Sequence, residues 1–284
     1  MRPRVGHIQF LNCLPLYYGL VKNHVLLDIE LVKGTPTELN RLLMAGELDI
    51  SPISSIEYAR NHRSLLLFPE FTVSSDGEAK SILLVSKRPV EELSGKKIAL
   101  TNTSATSQVL LKIILERNYS VKPEYFSCPP DLSKMLFEAE AALLIGDEAL
   151  RCHSKSVLEK GGLFFYDLGK EWKKLTGKGM VFAVWAVNRS FAERQSDLSR
   201  HVFDLFRESM LYSREHLDEI AEHAARWEPF SFPFLRDYFK TLRFDFGPVY
   251  QEGLALFYKM AEELGELKEA PELEFSKVRT EVPV

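Results

Sequence analysis

Residues 35–52 read TPTELNRLLMAGELDISP, and this stretch carries the pattern that decides the fold. Thr35 is a favourable helix cap, Pro36 suits the first helical position, and Glu38 completes a capping box. A helix is therefore predicted to begin at Pro36 and to end before Gly46. The apolar segment that follows the glycine predicts a buried strand.

The alternation of strand and helix extends on both sides of this stretch and then repeats. The first unit has predicted strands at 5–10, 27–32 and 48–52, with helices at 14–21 and from 36. The second unit has predicted strands at 97–101, 124–128 and 141–145, with helices at 104–117 and from 129–130. The first strands begin at residues 5 and 97, and the proline-initiated helices begin at 36 and 129, so the offset is 92 to 93 residues. We infer two similar βαβαβ lobes from this repeat.

Repeated βαβ units predict an α/β fold. Each lobe is expected to hold a mixed, mostly parallel sheet flanked by helices, with the ligand cleft between the lobes. Residues 1–85 and 188–284 are predicted to form lobe one, and residues 86–187 to form lobe two, which is inserted into it. The β-rich runs at 81–86 and 180–187 are the predicted crossover strands. The C-terminal region reads as mostly helical and is expected to pack on lobe one.

Composition and charge exclude several classes of protein. The chain has 284 residues, of which 45% are hydrophobic and 27% charged, proportions typical of a globular protein and not of a disordered or fibrous one. Its formal net charge of -4 offers no overall basic field for nucleic acid or for an anionic membrane. The longest continuous apolar run, at 180–187, is far shorter than the roughly 20 residues that span a bilayer.

Cysteine usage and the N-terminal segment favour a cytoplasmic protein without a metal. The cysteines at positions 13, 128 and 152 form no CxxC pair and leave one over, which argues against a disulfide framework and a zinc site. The N-terminal segment does not read as a signal peptide, because polar residues and a proline interrupt its apolar stretch. The histidines lack metal-ligand spacing and the nucleotide-binding fingerprints are absent, so we expect neither a metal nor a nucleotide cofactor.

A polar run, TNTSATS at residues 101–107, joins a predicted strand to a predicted helix in lobe two. A helix N-terminus presents unpaired backbone N–H groups and the positive end of the helix dipole, and the hydroxyls of Ser104, Thr106 and Ser107 add donors for a carboxylate or phosphate. The alternative is plain N-capping, for which one hydroxyl is enough. Asn12 occupies the equivalent position in lobe one, where an Asx turn or a cap is the alternative.

Gly146 and Asp147 follow another predicted strand of lobe two and are expected at the cleft. The Asp147 carboxylate is suited to accept a hydrogen bond from a ligand hydroxyl, and capping of the next helix is the alternative. If helix N-termini of both lobes face one cleft, the ligand should carry two separated negative groups. A dicarboxylate is the simplest expectation.

Several longer motifs occur in an order that resembles one known family. They are VGHIQFLNCLPLYYGL from residue 5, GTPTELNRLLMAGELDISPISSIEY from residue 34, a Ser-Asp-Gly loop before KSILLVS, TNTSATS, ALLIGDEAL and YDLGKEWKKLTGKGMVFAVWAV. From Val5 to Gly247 the chain resembles the chorismate dehydratases of the futalosine route to menaquinone, and LNxxPL and DLGxxWxxxTGxxxVFAVW are the most specific motifs. The resemblance implies a type II periplasmic-binding-protein fold, with two α/β lobes around a cleft.

The resemblance also implies an activity, a set of site residues and no cofactor. The activity is that of a hydro-lyase that converts chorismate, a dicarboxylate, to 3-[(1-carboxyvinyl)oxy]benzoate and water, with aromatisation of the ring as the driving force. The implied catalytic pair is Asn12 and Ser81, and our hypothesis is that Asn12 holds the reacting ring while Ser81 assists the departing hydroxyl. The implied substrate-binding residues are Ser54, Ser55, Ser104, Thr106, Ser107, Gly146 and Asp147.

Two alternative functions stay open. The same fold commonly captures small anions without catalysis, although the missing export signal and helix-turn-helix segment weigh against a transport or regulatory role. The enzyme that makes 1,4-dihydroxy-6-naphthoate in the same pathway shares the fold, but its opening differs from the LNCLPLYYGL at residues 11–20. The sequence does not determine the oligomeric state.

Overall fold

Helices and strands alternate along most of the chain, as the sequence predicts. The structure is a computed structural model that describes residues 2–22, 28–158 and 162–278. Its strands are β1 (Arg4–Ile8), β2 (Glu30–Gly34), β3 (Ile50–Ser54), β4 (Leu65–Ser75), β5 (Ile82–Ser86), β6 (Lys97–Thr101), β7 (Glu124–Cys128), β8 (Ala141–Ile145), β9 (Phe164–Asp167), β10 (Met180–Asn188) and β11 (Leu242–Arg243). Its helices are α1 (Leu14–Lys22), α2 (Pro36–Met44), α3 (Ser55–Asn61), α4 (Ala105–Tyr119), α5 (Leu132–Glu138), α6 (Gly146–Leu158), α7 (Leu168–Thr176), α8 (Arg189–Arg194), α9 (Ser196–Glu215), α10 (Leu217–Ala225), α11 (Phe232–Thr241) and α12 (Pro248–Glu263).

Helix α2 begins where the sequence predicts. The Thr35 hydroxyl accepts a hydrogen bond from the Glu38 backbone N–H, and the Glu38 carboxylate accepts one from the Thr35 backbone N–H at 2.8 Å. This reciprocal pair is the predicted capping box, and Pro36 is the first helical residue. The helix ends at Met44, before Gly46, so both of its predicted limits are confirmed.

The first sheet contains six of the described strands, in the order β11-β4-β10-β3-β1-β2. Strand β1 runs parallel to β2 and β3, as strands joined by crossover helices do. Strand β10 lies between β3 and β4 and is antiparallel to both. Strands β1 to β4 therefore run in one direction, while β10 and β11 run in the other.

The second sheet contains five of the described strands, in the order β7-β6-β8-β5-β9. Strand β6 pairs in parallel with β7 and β8, and β5 is antiparallel to β8 and β9. Four of these five strands run in one direction. Two mixed sheets flanked by helices confirm the predicted α/β fold class.

Some of the strands are not predicted from the sequence, and both predicted crossover strands are present. Strand β4 is not among the predicted strands; it contains Pro69, and proline is disfavoured within strands. The two predicted crossover strands each pair within a single sheet, β5 in the second and β10 in the first. The predicted lobe limits, 1–85 with 188–284 and 86–187, stay a proposal.

The C-terminal helices pack on the first sheet. Phe203 and Phe206 of α9 lie against Phe71 of β4, at ring-centroid distances of 5.2 and 6.1 Å. The Ser209 hydroxyl of α9 donates a hydrogen bond to the Leu16 carbonyl oxygen of α1 at 2.7 Å. Over the described ranges, no helix combines the length and the apolar character needed to cross a membrane.

Candidate active site

A narrow pocket lies between the two sheets and receives residues from both lobes. Its cavity volume is about 40 Å³. Apolar side chains form most of its wall, and an asparagine and three serines supply its polar groups. The lining residues are Ile8, Phe10, Asn12, Cys13, Pro36, Ser54, Val73, Ile82, Ser104, Ser107, Ile145, Gly146, Phe182 and Ala183.

Five helix N-termini meet at this pocket. Asn12 lies in the turn that leads into α1, Pro36 begins α2, Ser54 precedes α3, Ser104 caps α4 and Gly146 begins α6. Helix N-termini offer unpaired backbone N–H groups and the positive end of the helix dipole. The described lining residues include no Lys, Arg or His, so an anionic ligand would be held by these N-termini and by hydroxyls.

Two of the predicted serines at the start of α4 line the pocket. The Ser104 hydroxyl accepts a hydrogen bond from the Ser107 N–H at 3.3 Å and donates one to the Ser107 hydroxyl at 3.0 Å. Because the Ser107 oxygen is the acceptor in the second bond, its own proton is left to donate to a ligand. Ser104 is therefore a helix cap that also lines the pocket.

Ser55 and Thr106 lie behind the pocket and do not line it. The Ser55 hydroxyl donates a hydrogen bond to the Val181 carbonyl oxygen at 2.8 Å and lies 3.2 Å from the Thr106 hydroxyl. The Thr106 hydroxyl also accepts a hydrogen bond from the Ile56 N–H at 3.2 Å. Since Ser55 has one proton and gives it to Val181, Thr106 is the donor between the two hydroxyls. This buried pair joins α3 to α4 and leaves no hydroxyl proton for a ligand.

Asn12 brings an unpaired polar atom to the pocket. It lies in the 3-10 turn Leu11–Cys13, which connects β1 to α1. Its side-chain oxygen is buried and has no hydrogen-bond partner among the described residues, so it forms neither an Asx turn nor a cap. An unpaired buried amide oxygen costs free energy, which makes this position suited to a ligand that donates a hydrogen bond, such as a hydroxyl.

Ser81 is buried directly behind the pocket wall. Its carbonyl oxygen accepts a hydrogen bond from the Gly146 N–H at 2.8 Å, and both Gly146 and the next residue, Ile82, line the pocket. The Ser81 hydroxyl accepts a hydrogen bond from the Tyr238 hydroxyl at 3.0 Å and lies 3.4 Å from the Ala79 carbonyl oxygen. The Ser81 side chain itself is not one of the described lining residues.

The DLG motif holds the backbone that leads to Ser81. The Asp167 carboxylate accepts hydrogen bonds from the N–H groups of Ala79 and Lys80, at 3.0 and 2.6 Å. A Cβ atom at Gly169 would lie 2.3 Å from a backbone carbonyl oxygen of the same loop, so only glycine fits there. The acid and the glycine of the motif thus fix the loop before β5.

Gly146 and Asp147 connect the lobes beside the pocket. Gly146 has φ +60, and a Cβ atom there would lie 3.0 Å from the Phe10 ring. The Asp147 carboxylate accepts a hydrogen bond from the Leu11 N–H at 3.0 Å. Burial raises the pKa of Asp147 to about 6, although the bond from Leu11 favours the ionised form. One oxygen of Asp147 is therefore engaged by the backbone next to Asn12.

Sequence reasoning misses several residues of this site. Phe10 and Phe182 supply aromatic walls, and Pro36 brings the start of α2 to the pocket. The capping box predicts that a helix starts at Pro36, but it does not predict which part of the structure that helix start contacts. Tyr238 lies 157 residues from Ser81 along the chain, and no local pattern connects the two.

The fold and the pocket between its lobes define a protein of the periplasmic-binding-protein fold class. The periplasmic aliphatic sulphonate binding protein SsuA from Escherichia coli matches with a TM-score of 0.63 and 18% identity. The match covers 100% of this chain and 97% of that chain. At this identity the likeness establishes the fold alone.

The family is established by sequence. A family profile described as menaquinone biosynthesis matches residues 3–263, and the chain belongs to this menaquinone biosynthesis family. The chorismate dehydratase of Thermus thermophilus is 32% identical over 238 residues, which are 80% of this chain and 83% of that protein. The 1,4-dihydroxy-6-naphtoate synthase of the same organism is 24% identical over 78% of this chain and 77% of its own length.

Proposed function

We propose that this protein is a chorismate dehydratase, which converts chorismate to 3-[(1-carboxyvinyl)oxy]benzoate and water in the biosynthesis of menaquinone. The observation that carries the proposal is the 32% identity to the Thermus thermophilus chorismate dehydratase over 80% of the chain. The 1,4-dihydroxy-6-naphtoate synthase is less similar, at 24% identity. The dehydratase activity is therefore the better supported of the two.

The chemistry of the pocket lining suits a dicarboxylate that carries a six-membered ring. Phe10 and Phe182 line it, and helix N-termini of both lobes supply hydrogen-bond donors. Apolar walls strengthen hydrogen bonds to a carboxylate because they keep water away. We assign one carboxylate to Ser104 and Ser107 at the start of α4, with Ser54 as a donor from lobe one.

The proposed reaction is a dehydration that makes the ring aromatic. The C–O bond to the ring hydroxyl breaks, the neighbouring ring carbon loses a proton, and the departing oxygen gains a proton and leaves as water. No electrons pass to or from another molecule, and the aromatic product supplies the driving force. The enzyme is accordingly a cofactor-independent hydro-lyase whose task is to orient the substrate.

Asn12 and Ser81 are the proposed catalytic residues. The unpaired side-chain oxygen of Asn12 is suited to accept a hydrogen bond from the ring hydroxyl and so to hold the reacting ring. Ser81 assists the departing hydroxyl by donating a hydrogen bond. Neither side chain is a strong base, so a carboxylate of the substrate is the proposed acceptor of the ring proton.

The cysteines support a cytoplasmic location for this enzyme. Cys13 is buried at the pocket, and none of the three cysteines forms a disulfide bond in the described chain. Unbridged cysteines are usual in a reducing compartment. We therefore propose that the enzyme dehydrates chorismate in the cytoplasm.

The test is to incubate the purified protein with chorismate and to follow the substrate and products by chromatography and mass spectrometry. We expect chorismate to disappear and the enolpyruvyl ether of an aromatic acid to form in equal amount. A sample without protein corrects for spontaneous breakdown of chorismate. Binding of chorismate without conversion would overturn the proposal in favour of a non-catalytic anion-binding protein.

A further inference from the structure

We propose that Tyr238 is a positioning residue that sets the direction in which the Ser81 hydroxyl donates its proton. The inference rests on the proposed function, in which Ser81 assists the departing hydroxyl. Tyr238 lies on α11, in the C-terminal part of the chain, and belongs to none of the motifs that mark the site.

The contact between the two hydroxyls leaves the Ser81 proton available. Tyr238 is 0% exposed, and its hydroxyl donates a hydrogen bond to the Ser81 oxygen at 3.0 Å. The Ser81 hydroxyl itself donates to the Ala79 carbonyl oxygen at 3.4 Å, which is long for an O–H···O bond. Because one lone pair of Ser81 is occupied and the bond to Ala79 is long, the Ser81 proton is only weakly held and can turn to a better acceptor.

Tyr238 acts as a fixed hydrogen-bond donor to Ser81. Burial raises the pKa of the Tyr238 phenol well above its usual value, and the bond to Ser81 opposes this only in part. The raised pKa keeps the phenol protonated, so its hydroxyl stays a hydrogen-bond donor to Ser81. Its contribution is therefore to hold Ser81 in one orientation.

The backbone around Ser81 is held on several sides, which is consistent with a need for precise placement. Lys80 has φ +61, a left-handed conformation that residues with a side chain rarely adopt. The Lys80 N–H is bonded to Asp167, and its ammonium group forms an ion pair with Asp237. Asp237 and Tyr238 are consecutive on α11, so they hold the consecutive residues Lys80 and Ser81. Strained conformations persist where the surroundings enforce them, and they cluster at functional sites.

The first test is Tyr238→Phe, which removes the hydroxyl and keeps the ring. We expect kcat for chorismate dehydration to fall by about 5- to 30-fold, as the loss of one hydrogen bond implies, while KM changes by less than about twofold. The matched control is Tyr58→Phe, which removes another fully buried hydroxyl, one bonded to the backbone of Glu272 and Glu274. This control should lower Tm and leave kcat unchanged, with all assays run well below the lowest Tm.

The second test restores the hydroxyl. Incorporation of 3-fluorotyrosine at position 238 keeps the ring and the donor, so it is expected to return kcat to within about threefold of wild type. Three outcomes would overturn the positioning role if the wild-type protein is active. They are an unchanged kcat in Tyr238→Phe, a change in KM alone in that variant, and no recovery of kcat with fluorotyrosine. A wild-type protein that does not convert chorismate would instead overturn the proposed function, and this inference with it.

Discussion

The Asp147 carboxylate of lobe two accepts a hydrogen bond from the Leu11 N–H of lobe one across 3.0 Å. The neighbouring Gly146 N–H donates to the Ser81 carbonyl oxygen at 2.8 Å. Two consecutive residues at the start of α6 therefore contact the backbone beside both proposed catalytic residues, Asn12 and Ser81. The lobes are joined at the place where the dehydration is proposed to occur.

Asp147→Asn should remove a pH dependence from the stability of the protein. Burial raises the folded-state pKa of Asp147 from its ordinary value of 3.8 to about 6. Below the lower value the carboxyl is protonated in both states. At pH values between these two pKa values, the Asp147 carboxyl is ionised in the unfolded state but still protonated in the folded state. The free energy of unfolding therefore falls as the pH rises through this range. Asparagine keeps an acceptor for Leu11 but does not ionise.

At pH 7 the Asp147→Asn variant is therefore expected to have a free energy of unfolding about 1–3 kcal/mol higher than wild type. At pH values below the ordinary pKa the two proteins should be equally stable. Denaturant unfolding at a series of pH values measures the difference. A difference that stays constant across the series would mean that Asp147 does not titrate in this way.

Ser54→Ala and Ser55→Ala form a matched pair of neighbouring substitutions that should affect different properties, substrate binding in the first and stability in the second. Ser54 lines the pocket and its side chain caps no N–H group, so its loss should raise KM for chorismate about tenfold with little change in Tm. Ser55 is bonded to Val181 and Thr106, so its loss should cost about 1–2 kcal/mol of unfolding free energy with KM unchanged. Steady-state kinetics and thermal unfolding separate the two; equal effects would contradict the assignment.

Gly146→Ala should impair both folding and activity. The left-handed backbone costs a residue with a Cβ atom about 1–2 kcal/mol, and the new methyl group would lie 3.0 Å from the ring of Phe10, which lines the pocket. Gly95→Ala is the control, because Gly95 also has a left-handed backbone but no neighbouring atom within 4 Å of a Cβ. Both variants should lose stability, and only Gly146→Ala should lose more than about tenfold in kcat/KM. Equal activity in the two variants would remove Gly146 from the site.

Asn12→Ala should abolish most of the turnover without weakening the fold. The side-chain oxygen of Asn12 has no hydrogen-bond partner among the described residues, so its removal sacrifices no bond that stabilises the folded state. We expect kcat to fall by about 100-fold or more and Tm to stay the same or rise. A variant that is unstable yet turns over chorismate at the wild-type rate would assign Asn12 a structural role.

Local features of this molecule could be predicted from the sequence, and long-range ones could not. The capping box of Thr35 and Glu38 was predictable because its partners are three residues apart. Ser54 and Ser55 are both serines at the start of α3, so the sequence does not distinguish them. The packing of α3 on α4 decides which of the two lines the pocket. Tyr238 reaches the site through the folding of α11 onto the first lobe, which no spacing in the sequence encodes.

The central claim is that the pocket between the lobes catalyses an aromatising dehydration of chorismate. Proton NMR of chorismate incubated with the purified protein tests it most directly, with the Ser81→Ala variant as the control. The account predicts that the ring signals of chorismate give way to those of a meta-substituted benzoate in equal amount, with the vinyl protons of the enolpyruvyl group retained, in the wild-type sample alone. Chorismate that decays no faster than in a protein-free sample, or an aromatic product without its enolpyruvyl group, would contradict the account.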